Sequence, residues 1–396
     1  MNGAEKAVPK NFRTKVLLLL SSGHLVTDLA SGGLPVLLPI IQASLNLSYS
    51  AAGVISLVFN VSSSVIQPLL GYLSDRVKSR WLLPVGCILS TAGLALAGVI
   101  SGYWLILAAV LLSGLGSAAY HPEASKVSRL ASGSRPATGL SIFMIGGALG
   151  AALGSLIMAQ IVVHIGGHAS FYFIFPGLLM GILFFIFRDK LPDEPRTIIK
   201  GTEAITTHVP KQVMFSLSVL LLVVIFRSWI QSGLTHFMPM YFVNYLGKSP
   251  SYAGSLLVAF MLAGAIGTIF GGPLADRLGR KTTLVGSTAL LIPLLLLFKF
   301  SDGLWSLIIL FIIGMVMVST MATTVVMGQE LLPHRVGVAS GLMTGFAIGM
   351  GGVGVTLLGV IADNFGAPAA VWTITLLPVV TFLLSLLLPK DNLKGA

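Results

Sequence analysis

A chain of 396 residues with 55% hydrophobic and only 9% charged residues lacks the polar surface of a water-soluble fold, where roughly 25% charged is usual. Its net charge of +11, from 24 basic against 13 acidic residues, lies in short segments between long apolar runs. That placement reports membrane orientation, so no nucleic-acid partner is expected.

Twelve runs are long and apolar enough to cross about 30 Å of hydrocarbon, and lipid leaves such segments no choice but helix. In the first half they fall at about 15–42, 49–71, 82–101, 104–125, 136–163 and 169–187. In the second half they fall at about 213–245, 250–273, 282–300, 304–328, 336–361 and 367–388. The first run has no small-residue cleavage site and is read as a retained helix, not a signal peptide. Between the halves, 188–212 carries Pro192, Pro195, Gly201 and Pro210 and reads as a linker. The expected domains are a six-helix bundle over 1–187, a cytoplasmic linker over 188–212 and a second six-helix bundle over 213–396.

The second and eighth runs close on the same charged hairpin. It reads Gly71-Tyr72-Leu73-Ser74-Asp75-Arg76, and 201 residues later Gly272-Pro273-Leu274-Ala275-Asp276-Arg277. A repeat half the chain long points to a transporter made of two similar halves. The fold class expected is an all-α polytopic membrane protein, twelve helices in two pseudo-symmetric six-helix bundles. With the N-terminus inside, 21 of the 24 basic residues lie on the cytoplasmic side; Lys248 and Lys299 lie outside and Arg227 within a span. Both termini are then cytoplasmic, in the plasma (inner) membrane. The one cysteine, Cys87, allows no disulfide framework and no cysteine metal site, and no metal or cofactor is expected beyond a proton gradient.

Ionisable groups inside the membrane are costly and mark function. His24 and Asp28 share one face of the first helix at i,i+4, near its middle, and form either a proton site or a buried pair joining two helices. Arg227 sits about 14 residues into the seventh run, with Gln231 one turn on and His236 further out. Its guanidinium fork suits a phosphonate, phosphate or carboxylate, and equally suits a counter-ion for Asp28. His121 and Glu123 flank Pro122 in the fourth run; Glu123 is either a second proton carrier or a partner for cytoplasmic arginines. His121, Asn60 and Gln67 are candidate cavity residues, and Trp229, Phe237, Tyr241 and Phe242 wall the cavity or face lipid.

The hairpins are read as a gate or as solvated charges. In the gating reading, Gly71 and Gly272 admit a close backbone, while Asp75 and Asp276 cap a facing helix or pair with arginine. Arg76, Arg277, Arg280, Glu330 and Arg335 join them. Gly146, Gly150 and Gly154, and likewise Gly341, Gly345 and Gly349, recur every four residues. Each series gives a smooth face, for packing or for sliding.

The two halves with their G-x-L-x-D-R loops resemble the major facilitator superfamily. Closer likeness lies in Ser22-Gly23-His24-Leu25-Val26-Thr27-Asp28, in Tyr120-His121-Pro122-Glu123-Ala124-Ser125 and in Gln329-Glu330-Leu331-Leu332-Pro333-His334-Arg335 with the glycines that follow. These segments resemble the fosmidomycin-resistance family of efflux transporters. The fourth helix has Val110 where drug antiporters often carry a buried arginine, and the fifth lacks their glycine–proline pair. The resemblance implies a monomeric, proton-coupled exporter of small drug-like, anionic compounds such as fosmidomycin-type phosphonates. Uptake or symport of an anionic metabolite such as a sugar phosphate is the alternative. No G-x-S-x-G, H-E-x-x-H or P-loop marks an enzyme, and no soluble output domain marks a sensor.

Overall fold

The computed structural model describes residues 11–77, 79–192, 209–238 and 241–390, without the side chains of 49, 50, 236 and 250. Twelve apolar helices follow: α1 (Thr14–Ser44), α2 (Ala51–Arg76), α3 (Leu82–Ala97), α4 (Tyr103–Ala131), α5 (Pro136–His164) and α6 (Gly167–Lys190). The second six are α7 (Lys211–Thr235), α8 (Ser251–Leu278), α9 (Arg280–Lys299), α10 (Leu304–Leu331), α11 (Val336–Phe365) and α12 (Ala367–Leu386). No strand occurs among the described residues. Most of the expected linker, 193–208, lies outside them.

The halves repeat down to single caps. Ser48 accepts the amide of Ala51 at the head of α2, and Ser249 accepts that of Tyr252 at the head of α8, each at 3.2 Å. Such a cap satisfies one of the amides that a helix start leaves unpaired. Gly102 at φ +148° turns the chain into α4 and Gly303 at φ +60° turns it into α10. Just beyond them, Trp104 and Trp305 stand 79% and 68% exposed, as side chains of an interfacial aromatic belt do. At the other end, Arg80 donates to the carbonyls of Arg188 at 2.9 Å and Leu191 at 2.7 Å, closing the end of α6. Lys281, 201 residues after Arg80, closes the end of α12 on Leu386 at 2.8 Å and on Leu388. A cation on the last carbonyls also meets the negative end of the helix dipole.

Two helices differ from expectation. The third is 16 residues long and stops at Gly98, short of the expected 101. The seventh is not a single regular helix to 245, because π turns at Gly233–Phe237 and Tyr241–Tyr245 widen and underwind its end. Further π turns occupy Val61–Val65 in α2 and Gly341–Phe346 in α11. Met350 then interrupts α11 before the glycine-rich segment that starts at Gly351.

The apolar core shows where the halves meet. One cluster joins both halves, from Leu20, Tyr120 and Phe143 in the first to Leu220, Val325 and Met343 in the second. It lies toward the membrane side that carries the basic residues, called here the basic side. Toward the opposite side each half keeps its own core, around Leu37, Phe59 and Leu94 in one and Phe242, Phe260 and Leu295 in the other. The halves therefore close on the basic side and part toward the other.

Candidate functional site

Two matched caps hold the closed side. The Asp75 carboxylate, at the end of α2, accepts the amides of Gly337 at 2.8 Å and Val338 at 3.0 Å, the first turn of α11. The Asp276 carboxylate, at the end of α8, accepts the amides of Ala137 at 3.2 Å and Thr138 at 2.8 Å, the first turn of α5. Thr138 Oγ1 adds a bond of 2.7 Å. Each carboxylate thus meets free N–H groups and the positive end of a helix in the other half. The glycines let the backbones touch. A Cβ on Gly71 would run into the carbonyl of Gly337, and one on Gly272 into Ala137 and Ser141.

The two glycine series divide the work. Gly146, Gly150 and Gly154 of α5 lie on the carbonyls of Ser21, Leu25 and Leu29 in α1, inside one half. Gly341, Gly345 and Gly349 of α11 lie on Gln67 and Ser64 of α2, across the halves. Nothing stands within 4 Å of a Cβ placed on Gly53, Gly254, Gly352 or Gly359, nearer the open side.

Other groups fall in three places. Glu123 is buried beside the first hairpin and accepts Ser74 Oγ at 2.5 Å and Ser79 Oγ at 2.6 Å, away from Asp28. Lys126, one turn later, lies 3.5 Å from Asp75. Glu330 reaches both halves, at 3.8 Å from Arg129 and 3.1 Å from Arg280, which itself stands 4.0 Å from Asp276. Arg76 and Arg277 are exposed and outside this seal; Arg76 lies over the Tyr72 ring at 4.2 Å. Arg335 is half-buried before α11. Gln67 belongs to the seal, where Thr344 donates to it at 3.1 Å. Asn60 is exposed and donates to its own helix at Ser56.

Deep in the first half, α1 and α4 bring together three ionisable groups. Asp28 lies 3.3 Å from His24 Nε2 and 3.3 Å from His121 Nε2. The two ring nitrogens are 3.1 Å apart. His121 thus stands beside Asp28, not in the cavity of the second half.

In the second half, Arg227 is buried and faces Ser228 and Gln231 of α7, Met321 and Thr324 of α10 and Met343 of α11 around a cavity of about 40 Å³. That is room for about one water. Its guanidinium donates to Thr320 Oγ1 at 2.6 Å, to the carbonyl of Met317 and to Ser287 Oγ at 3.4 Å. No carboxylate pairs with it among the described residues. The alternative pairing with Asp28 is not made, because α9 and α10 hold the guanidinium within its own half. Gln231 lines the same cavity, and the side chain of His236 is outside those described.

Comparison with known proteins decides the family. A model described as the Major Facilitator Superfamily matches residues 20–344 and 220–395. The chain belongs to the major facilitator superfamily. Within it, the chain is 32% identical to the fosmidomycin resistance protein of Escherichia coli strain K12, over 96% of this chain and 94% of that one. It is 33% identical to the uncharacterized transporter YfnC of Bacillus subtilis strain 168, over 98% and 96%. Among solved structures, the superfamily transporter FucP in the outward conformation superposes with a TM-score of 0.77 at 18% identity, covering 95% of this chain and 99% of that one. The human organic anion transporter MFSD10 gives 0.67 at 18%, covering 94% and 99%. The chain is therefore a multi-pass superfamily transporter.

Several members of the site carry no sequence signal of their own. Ser74, Ser79 and Thr138 are ordinary serines and threonines until the fold sets them on a carboxylate. Gln329, which donates to Ser125 at 3.2 Å and Ser340 at 2.8 Å, ties the halves without any charge. Arg80 and Lys281 did have a signal, the same 201-residue offset as the hairpins.

Proposed function

We propose that this transporter is a proton-coupled antiporter that exports small anionic, drug-like compounds, fosmidomycin-type phosphonates among them. It works as a monomer, without a cofactor and without enzymatic chemistry. The basic side is cytoplasmic, both termini are inside, and the membrane is the inner membrane. The reading is carried by Arg227: a buried guanidinium with no carboxylate partner among the described residues, facing a cavity of mixed polar and thioether wall near the middle of α7. A buried cation held only by neutral oxygens is costly, and an anionic substrate completes it. The whole-length likeness to a fosmidomycin resistance protein favours a phosphonate and export.

Alternating access follows from the seal. With the basic side closed by Asp75 and Asp276, we read this as the outward-facing state; breaking both caps gives the inward-facing one. Coupling needs a ligand that prefers one state. We assign the protons to Asp28 and His24, with His121 beside them. Glu123 is assigned to the gate, since two serines of the hairpin region hold it.

Binding of fosmidomycin to the purified protein tests the anion site. Wild type should bind, and Arg227→Ala should weaken binding at least about tenfold, the loss expected for one charge-assisted contact. Equal affinity in Arg227→Ala would reject Arg227 as the anion site.

A further inference from the structure

The protons on the two imidazoles are fixed by what lies behind each ring. His24 Nδ1 lies 2.9 Å from the carbonyl of Phe143, and His121 Nδ1 lies 2.7 Å from the carbonyl of Ser117. A carbonyl only accepts, so each Nδ1 carries its hydrogen and each neutral ring presents a bare lone pair at Nε2. Those lone pairs face each other at 3.1 Å, and each stands 3.3 Å from an oxygen of the Asp28 carboxylate. With both rings neutral, three acceptors converge with no donor among them, an arrangement that a proton or a metal cation between them completes.

The spacing suits a metal ion. One ligand atom from each residue lies within 4.8 Å of the other two. An ion with bonds of about 2.0–2.2 Å sets tetrahedral neighbours about 3.3 Å apart. Since Oδ2 of Asp28 faces His24 and Oδ1 faces His121, a turn of the carboxylate brings one oxygen to both rings. Rings whose second nitrogen donates to a backbone carbonyl are also how proteins orient metal-binding histidines. The cluster is preorganised. His24 stacks on Phe143 at 4.2 Å and meets His121 edge-on at 86°, while Asp28 follows His24 by one helical turn. Both histidine side chains are about nine-tenths buried, whereas that of Asp28 is 19% exposed, leaving an approach for a fourth ligand on that side.

We infer that His24, His121 and Asp28 form a binding site for a divalent d-block cation of the zinc class. Two imidazole nitrogens and one carboxylate favour zinc, cobalt or copper over magnesium and calcium, which take all-oxygen sites. The fourth position takes water or the oxygen of an anionic ligand. The site joins α1 to α4 inside the first half, so an ion there rigidifies that half without bridging the moving interface. The inference stands on ligand geometry and does not depend on proton coupling, although an ion and a transported proton would occupy the same atoms.

Metal binding on the resting protein tests it. The full chain, purified without a polyhistidine tag and stripped with chelator, is titrated at neutral pH with cobalt(II) and then zinc(II). One cobalt per chain is expected, with the visible bands of a four- or five-coordinate nitrogen–oxygen site that zinc then displaces. His24→Gln and His121→Gln should each weaken binding at least about tenfold, while His168→Gln, on the exposed end of the first half, should not. Zinc-edge X-ray absorption of wild type covers the case of an unstable variant, with two imidazoles at about 2.0–2.1 Å expected. No stoichiometric binding in wild type, absorption showing no imidazole ligands, or unchanged binding in the His24→Gln/His121→Gln double variant would overturn the site. Since no transport is read, loss of proton coupling in a flux assay leaves this result untouched, and failure to bind metal leaves the transport reading untouched.

Discussion

At the scale of single residues, Arg227 shows how the setting of a buried charge depends on neighbours that its own position does not name. Its depth and charge are legible in the chain, but its three neutral acceptors come from α9 and α10, 60 to 93 residues away. Thr320→Val removes the acceptor at 2.6 Å and frees one guanidinium N–H. Fosmidomycin, which can accept from the freed N–H, should then bind about three- to tenfold more tightly, about 1 kcal/mol for one hydrogen bond, in the same titration. The pairing of His24 with Asp28 was readable from i,i+4 spacing, whereas His121 joins them only because α4 packs on α1. Glu123 was open between two roles, and its serine partners argue for the gate. Glu123→Gln should therefore leave the number of protons moved per substrate unchanged while altering the turnover rate. A lost proton in a flux assay would return Glu123 to the carriers.

At the scale of helices, the four-residue glycine spacing announced smooth faces but not their partners. The α5 series packs on α1 within one half, and the α11 series packs on α2 across the halves; only the second can open during transport. Sequence could not separate the two because spacing is a property of one helix and the partner is a property of the fold. A methyl group on Gly337 would strike the carbonyl of Gly71, so Gly337→Ala should force α11 from α2 and expose the basic side. Cysteines placed along that seal should react faster with a water-soluble maleimide in this variant. Gly352→Ala, where nothing stands within 4 Å, is the control and should change nothing. The π turns in α2 and α11 were not legible, since spans that are apolar on nearly every face offer no periodic pattern for an extra residue to shift.

For the whole molecule, the duplicated hairpin carried the fold. The pairs Ser48 and Ser249, Asp75 and Asp276, Arg80 and Lys281, and Gly102 and Gly303 all keep the 201-residue offset. Because the halves repeat, the seal has two equivalent caps. Each cap is worth about 1 kcal/mol at a helix start, so Asp75→Ala and Asp276→Ala should each shift the balance of states by roughly fivefold. The double variant should combine both. Spin labels on the basic ends of α2 and α11 should report longer distances in proportion, and no lengthening would show that the caps do not hold the halves.

Proton movement driven by substrate tests the transport account most directly. Purified protein in liposomes with a pH-sensitive dye inside is given a proton gradient and then fosmidomycin. The account predicts proton flux that starts on addition of fosmidomycin and is abolished in Asp28→Asn. Fosmidomycin flux without proton movement, or full coupling in Asp28→Asn, would contradict it.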